Sequence, residues 1–148
     1  MRYSKGHMET SEETIYSKII RREVPSEIVY ENDFTIAFLD IVGPVAKGHT
    51  LVIPKRQFVN IFDIDDETLD QIWATIRKIA PVVRNAVGAT GVNINSNHGA
   101  DAGQVIPHIH FHIVPRFEGD GLEFWPEIQT TPEEISAIAL KIRESIAA

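Results

Sequence analysis

From Asp65 to Val87 the apolar residues Leu69, Ile72, Trp73, Ile76, Ile79, Ala80, Val83 and Val87 recur with a period near 3.6 over about six turns, which predicts a long amphipathic helix. Pro81 lies inside it and is expected to kink it, because proline removes one backbone hydrogen bond and crowds the preceding turn. Near the start, SEETIYSKIIRRE places Ile15, Tyr16 and Ile19 at helical spacing and predicts a short helix that ends before Pro25. EIVYE and FTIAFLD predict two strands joined by a tight turn at END, residues 31 to 33. GHTLVIP, from Gly48 to Pro54, predicts a third strand after the Gly- and Pro-bearing loop DIVGPVAKG. GVNINSN alternates as a fourth strand, and PHIHFHIVP as a fifth after the glycine-rich stretch HGADAGQ. Thr131, Pro132 and Glu134 form a capping-box start for a last helix, PEEISAIALKIRESI, with Ile135, Ile138, Ala139, Ile142 and Ile146 on one face. Hairpin-paired strands with helices laid on one side predict an α+β domain.

Composition narrows the class. A chain of 148 residues that is 43% hydrophobic suits one domain, expected over residues 12–148, with 1–11 a flexible N-terminus and 124–148 a C-terminal extension. His7 falls in the polar opening and carries no weight. Without cysteine, disulfides and thiolate metal sites are excluded. No apolar run approaches the roughly 18 to 20 residues that span a bilayer, and the opening lacks a signal-peptide pattern, so a soluble cytoplasmic protein is expected. A formal charge of −7 and the lack of a Lys/Arg stripe argue against nucleic acid as partner, while a small phosphate ligand needs only a few local donors.

Candidate chemistry centres on HIHFHIV, residues 108 to 114, which holds three of the six histidines. In a strand, His108, His110 and His112 project on one side and Ile109, Phe111 and Ile113 on the other, so the apolar set would fix the register of the imidazole row. Two chemistries suit such a row: zinc ligation, and nucleophilic attack on phosphorus with neighbouring rings on the phosphoryl oxygens. The loop NHGADAGQ supplies Gly99 and Gly103, where backbone N–H groups can meet an anion. The nearest carboxylates are Asp101 and Glu118, no acidic cluster flanks the row, and an anion is favoured over a cation. Imidazole titrates near pH 6.5, so one ring is expected to offer a lone pair while a neighbour carries a proton.

The chain resembles the histidine-triad family, whose signature His-φ-His-φ-His-φ-φ, φ being apolar, fits HIHFHIV at every position. Similarity extends over roughly residues 14 to 116: IYSKIIRREVPSEIVYENDFTIAFLDI, KGHTLVIPKR, NHGADAGQ and the final VPR resemble the nucleotide-binding branch of that family. The resemblance implies a five-stranded antiparallel sheet with a long central helix, a short N-terminal helix and here an added C-terminal one. It implies that His110 attacks the α-phosphorus of a nucleoside 5′-phosphoramidate or related nucleotide, forming a nucleotidyl-histidine that water hydrolyses, with His112, His108 and His49 positioning it and contacting phosphate. Asn97, Gly103, Gln104 and Val105 match the phosphate side, and Asp40 the acceptor for ribose hydroxyls. Ile15, Tyr16, Ile19, Phe38, Ile41 and Leu51 match the apolar slot for the base, though they would serve equally as core. The ligand implied is a purine nucleotide resembling AMP, with no cofactor and no metal.

Two departures bear on detail. Val105 stands where several members place Ser or Thr to assist the leaving group. Thr14, Ser17 and Gln57 stand near or at positions that hold a structural zinc in many bacterial relatives, so no zinc is expected. Dinucleoside polyphosphates are the alternative substrates; a metal-dependent hydrolase and a non-catalytic nucleotide-binding module are the alternative classes. The resemblance further implies a two-fold homodimer with the long helix, and Trp73 on it, at the interface, and FWPEI around Trp125 near the partner's site. His98 is expected to be solvated.

Overall fold

The computed structural model describes residues 13–148; the expected flexible N-terminus lies outside the described residues, as does the start of the SEETIYS segment. Helix α1 spans Ile15–Ile20, opened by a capping box in which the Ser17 N–H donates to Thr14 Oγ1 at 3.1 Å and Thr14 N–H reaches Ser17 Oγ. A hairpin follows, β1 Ile28–Glu31 and β2 Thr35–Leu39, turned by Asn32, whose Oδ1 accepts the N–H groups of Phe34 and Thr35. Strand β3 is Thr50–Pro54. Helix α2, Asp66–Ala86, starts at an Asp65 cap that accepts the Thr68 N–H at 2.8 Å and runs on through Pro81 without a break. Then come β4 Gly91–Asn95, a short 3₁₀ turn at Ala100–Ala102, β5 Phe111–Arg116 and α3 Pro132–Ala147, which carries the expected Thr131–Glu134 capping box.

The five strands form one antiparallel sheet in the order β1-β2-β3-β5-β4. The expectation that all helices lie on one side is corrected. Ile72, Ile76, Ile79 and Ala80 of α2 pack with Ala37, Val52, Ile109, Phe111 and Ile113 on one face. Tyr16 and Ile19 of α1 pack with Ile36, Phe38, Leu51 and Ile53 on the other. With both faces covered, β2 and β3 are buried nearly throughout, and this is why TIAFL and TLVIP read as continuous apolar runs instead of alternating. A 2.7 Å hydrogen bond between the buried hydroxyls of Thr35 and Thr75 ties β2 to α2. Among the described residues, no helix is long and apolar enough to cross a membrane. The isoleucines of α3 at 135, 138, 142 and 146 are exposed, as is Trp125 at 87%, while Trp73 is 47% exposed and packs edge-on against Phe111.

Candidate functional site

The predicted strand PHIHFHIVP begins later than its alternation suggests: the ladder starts at Phe111, and only His112 of the three histidines lies within it. Before that point, partners distant in sequence satisfy the backbone. The Ile109 N–H donates to the Phe58 carbonyl at 2.7 Å, and the His110 carbonyl accepts from Ser96 Oγ at 2.6 Å. The chain bends at Ile106–His108, yet the alternation of faces survives in the packing. Ile109, Phe111 and Ile113 join the α2-side core, and the Tyr16 ring meets His108 and His110 edge-on at 5.9 and 5.1 Å on the other side.

The three rings are not equivalent. His108 is sealed at 0% exposure, donates Nε2–H to the Pro54 carbonyl at 2.8 Å, and leaves Nδ1 buried without a partner. The ring of His108 lies edge-on to Tyr16 of α1 and away from the cavity wall, and its backbone carbonyl holds His110. His110 donates Nδ1–H to the His108 carbonyl at 2.8 Å, so its Nε2 keeps the lone pair. His112 pairs through Nδ1 with His49 Nε2 at 2.9 Å. His49 Nδ1 accepts the Val45 N–H at 3.2 Å, so the His49 proton sits on Nε2 and is donated to His112 Nδ1; the His112 proton is then on Nε2.

His49 is aimed by Gly48, whose φ of +82° and whose absent Cβ, which would lie 2.8 Å from Val87 Cγ1, both call for glycine. Register then places His112 opposite Leu51 on β3 and Asn95 on β4.

Burial holds all four rings below the ordinary imidazole range, which favours their neutral forms at pH 7 over the expected protonated neighbour. Burial pushes His108 down to about 4, and burial with the facing His110 and His49 pushes His112 there too. Burial likewise lowers His110 and His49, opposed by the nearby Asp40 carboxylate. With His49 neutral, its 3.6 Å approach to Asp40 Oδ2 is a polar contact and not an ion pair. Asp40 Oδ1 is held by the N–H groups of Val42 and Gly43, leaving Oδ2 for a ligand.

These groups border one cavity of about 460 Å³. Its wall holds His110, His112, Asn97, Gly103 and Val105, together with Asp40 and Ile41 and an apolar set of Ile15, Tyr16, Ile19, Phe38 and Leu51, of which Tyr16 meets His110. Three expected contacts are absent from it: His108, His49 and Gln104. Gln104 is buried, its amide donating to the carbonyls of Val59 and Ile106 and accepting from Asn60 Nδ2 and the Gly99 N–H. It braces the loop from beneath.

The loop's amides are also less free than its glycines suggest. The N–H groups of Ala102 and Gln104 donate to the Gly99 carbonyl and that of Gly103 to Ala100, while these internal bonds do not involve the Val105 N–H. His98 is half-buried, its Nδ1 accepting the Ile61 N–H at 3.1 Å.

Ser26, Leu39, Val42, Gly43 and Ile106 also line the cavity and were not anticipated. Val42 and Gly43 could have been found, since an Asp followed by a glycine-bearing loop forms such a side-chain-capped turn; nothing local marks Ser26. Among the described residues no group of His, Asp or Glu is spaced to hold a metal ion.

Comparison with known proteins agrees with this geometry. The HIT domain family model matches residues 21–119. The chain is 39% identical to the protein hit of Bacillus subtilis over 144 residues, covering 95% of this chain and 99% of that one. It is 36% identical to an adenosine 5′-monophosphoramidase of Schizosaccharomyces pombe over 134 residues, covering 89% and 97% respectively. A solved Streptococcus mutans structure superposes with a TM-score of 0.84 at 35% identity, covering 99% of this chain and 95% of that chain.

Proposed function

Because the chain belongs to the HIT domain family, we propose that it is a nucleotide hydrolase or transferase that cleaves at the α-phosphate of nucleoside 5′-phosphoramidates through a nucleotidyl-His110 intermediate. The observation that carries this reading is the single cavity in which an apolar slot, the open carboxylate oxygen of Asp40 and the Nε2 side of His110 meet. A ring with its Nδ1–H held by a carbonyl presents a lone pair without needing a base, so it can attack phosphorus directly. The amine takes up a proton from solvent and leaves as the P–N bond breaks, while the new P–N bond to Nε2 makes His110 a nucleotidyl-imidazolium that keeps its Nδ1–H. Water then attacks phosphorus and loses a proton to solvent, releasing the nucleoside monophosphate as the bond to Nε2 breaks and restoring the neutral ring.

His112 would donate its Nε2–H to a phosphoryl oxygen, its orientation set by His49 and, behind that, by the Val45 amide. The Val105 N–H and Asn97 would bind the other oxygens. Asp40 Oδ2 would accept from the ribose hydroxyls. Ile15, Tyr16, Ile19, Phe38, Ile41 and Leu51 would enclose a purine base. Val105 offers no hydroxyl to the leaving group, so a phosphoramidate, whose amine leaves more readily once protonated, suits the site better than a dinucleoside polyphosphate. The groove lined by Trp73, Ile76, Ala80, Pro81, Val92 and Ile94 beside edge strand β4 suits a two-fold homodimer.

The test is steady-state turnover of adenosine 5′-phosphoramidate and diadenosine polyphosphates with and without chelator. Faster turnover of the phosphoramidate, unchanged by chelator, is expected. Loss of activity on chelation would replace the histidine nucleophile by a metal-assisted water, and absence of turnover with nucleotide binding kept would leave a binding module.

A further inference from the structure

Among the described residues, two buried side-chain polar atoms lack a hydrogen-bond partner: His108 Nδ1, sealed under α1, and Ser26 Oγ, which belongs to the wall of the nucleotide cavity. Ser26 lies on the link between α1 and β1, flanked by Val24 and Ile28, both packed on the apolar cluster that contains Tyr16, Ile19, Phe38 and Leu51. Its neighbour Glu27 accepts the Leu39 N–H, which fixes the link against the end of β2 beside Asp40. In the sheet order β1 stands three strand spacings, about 14 Å, from β5 and His112, and the link that carries Ser26 leads into β1. The cavity wall thus carries the Ser26 hydroxyl among the apolar side chains of Ile19, Phe38, Leu51 and Ile106 and the ring of Tyr16.

A buried hydroxyl without a partner destabilises the fold, and alanine would fill the place without that cost. Folding alone does not call for serine here. Nothing bonds Oγ in its present rotamer, and χ1 offers it other staggered positions on a residue that borders the cavity.

Resting on the proposed nucleotide site, we infer that Ser26 is a specificity-determining residue whose hydroxyl hydrogen-bonds the polar edge of the bound base. With phosphate at the histidines and ribose at Asp40, the ring edge remote from the glycosidic bond points to the far end of the slot. A hydroxyl both donates and accepts, so it serves a 6-amino or a 6-carbonyl group alike and selects against a ring that carries neither.

Calorimetric titration of the full chain and of Ser26→Ala with AMP, inosine 5′-monophosphate and purine riboside 5′-monophosphate, which lacks a 6-substituent, tests this. The unsubstituted protein should bind the first two about threefold to tenfold more tightly than the third. In the variant this preference should vanish, purine riboside affinity should be kept, and the ligand-free melting temperature should be unchanged or higher. An equal preference in both proteins, or a variant that melts well below the parent, would overturn the role of Ser26 while leaving the nucleotide site standing. Failure of the parent to bind any of the three would remove that site, and the inference with it.

Discussion

At the histidine end of the cavity each ring is fixed by a hydrogen bond that consumes one nitrogen: His108 on the Pro54 carbonyl, His110 on the His108 carbonyl, His112 on His49 and His49 on the Val45 amide. At the base end the apolar side chains are held by packing, Ile41 is 63% exposed, and the Ser26 hydroxyl has no bond at all. Directional bonds set which nitrogen carries a proton, and hence which atom reacts. Apolar contact sets only how much surface a ligand covers. Changes at the histidine end should therefore appear in kcat, and changes at the base end in KM.

The largest contrast is expected from His110→Ala, which should lower kcat on the order of 10³-fold or more while AMP affinity, measured by calorimetry, stays within a few-fold. A comparable loss of affinity would mean that the two ends are not separable. Next is pH. Burial holds His108 and His112 near 4 in the fold against about 6.5 in the unfolded chain, so between these values the unfolded chain binds more protons. Their contribution to stability is complete above about pH 6.5 and is lost as pH falls toward 4, which thermal melts across pH 4 to 7.5 will show as a declining midpoint. The acidic limb of kcat/KM should likewise lie below pH 6.5, because burial lowers His110.

Gly48→Ala should cost about 1–3 kcal/mol of stability, from positive φ and the Val87 contact, and displace His49; denaturant melts and kcat both report it. Asp40→Asn keeps an oxygen for the Val42 and Gly43 amides but weakens the acceptor left for ribose. It should raise KM about tenfold with kcat nearly kept, an effect absent with a 2′,3′-dideoxyribose substrate. The smallest change is Ile41→Ala, with KM raised about twofold to threefold and kcat unchanged.

Membership of the cavity was largely legible through the resemblance to the histidine-triad family, while alternation by itself assigned a face only to the histidine row. Alternation does not say what covers that face. It placed His108 beside His110, yet only the α1 helix, folding back more than eighty residues away in sequence, seals the one and leaves the other at the cavity. The late start of β5 was hidden for the same reason, since Phe58 and Ser96 supply the bonds that a neighbouring strand would have given. The resemblance placed Gln104 with the phosphate-side loop, whereas its side-chain partners Val59, Asn60 and Ile106 become visible only when the chain is folded. Two-sided burial of the sheet, by contrast, was already written in the unbroken apolar runs TIAFL and TLVIP.

The most direct measurement is rapid acid-free quenching of the protein with adenosine 5′-phosphoramidate, followed by peptide mass spectrometry. The account predicts an added adenylyl group on His110, formed and lost at rates consistent with turnover. Turnover without any adduct, or an adduct on another residue, would contradict it.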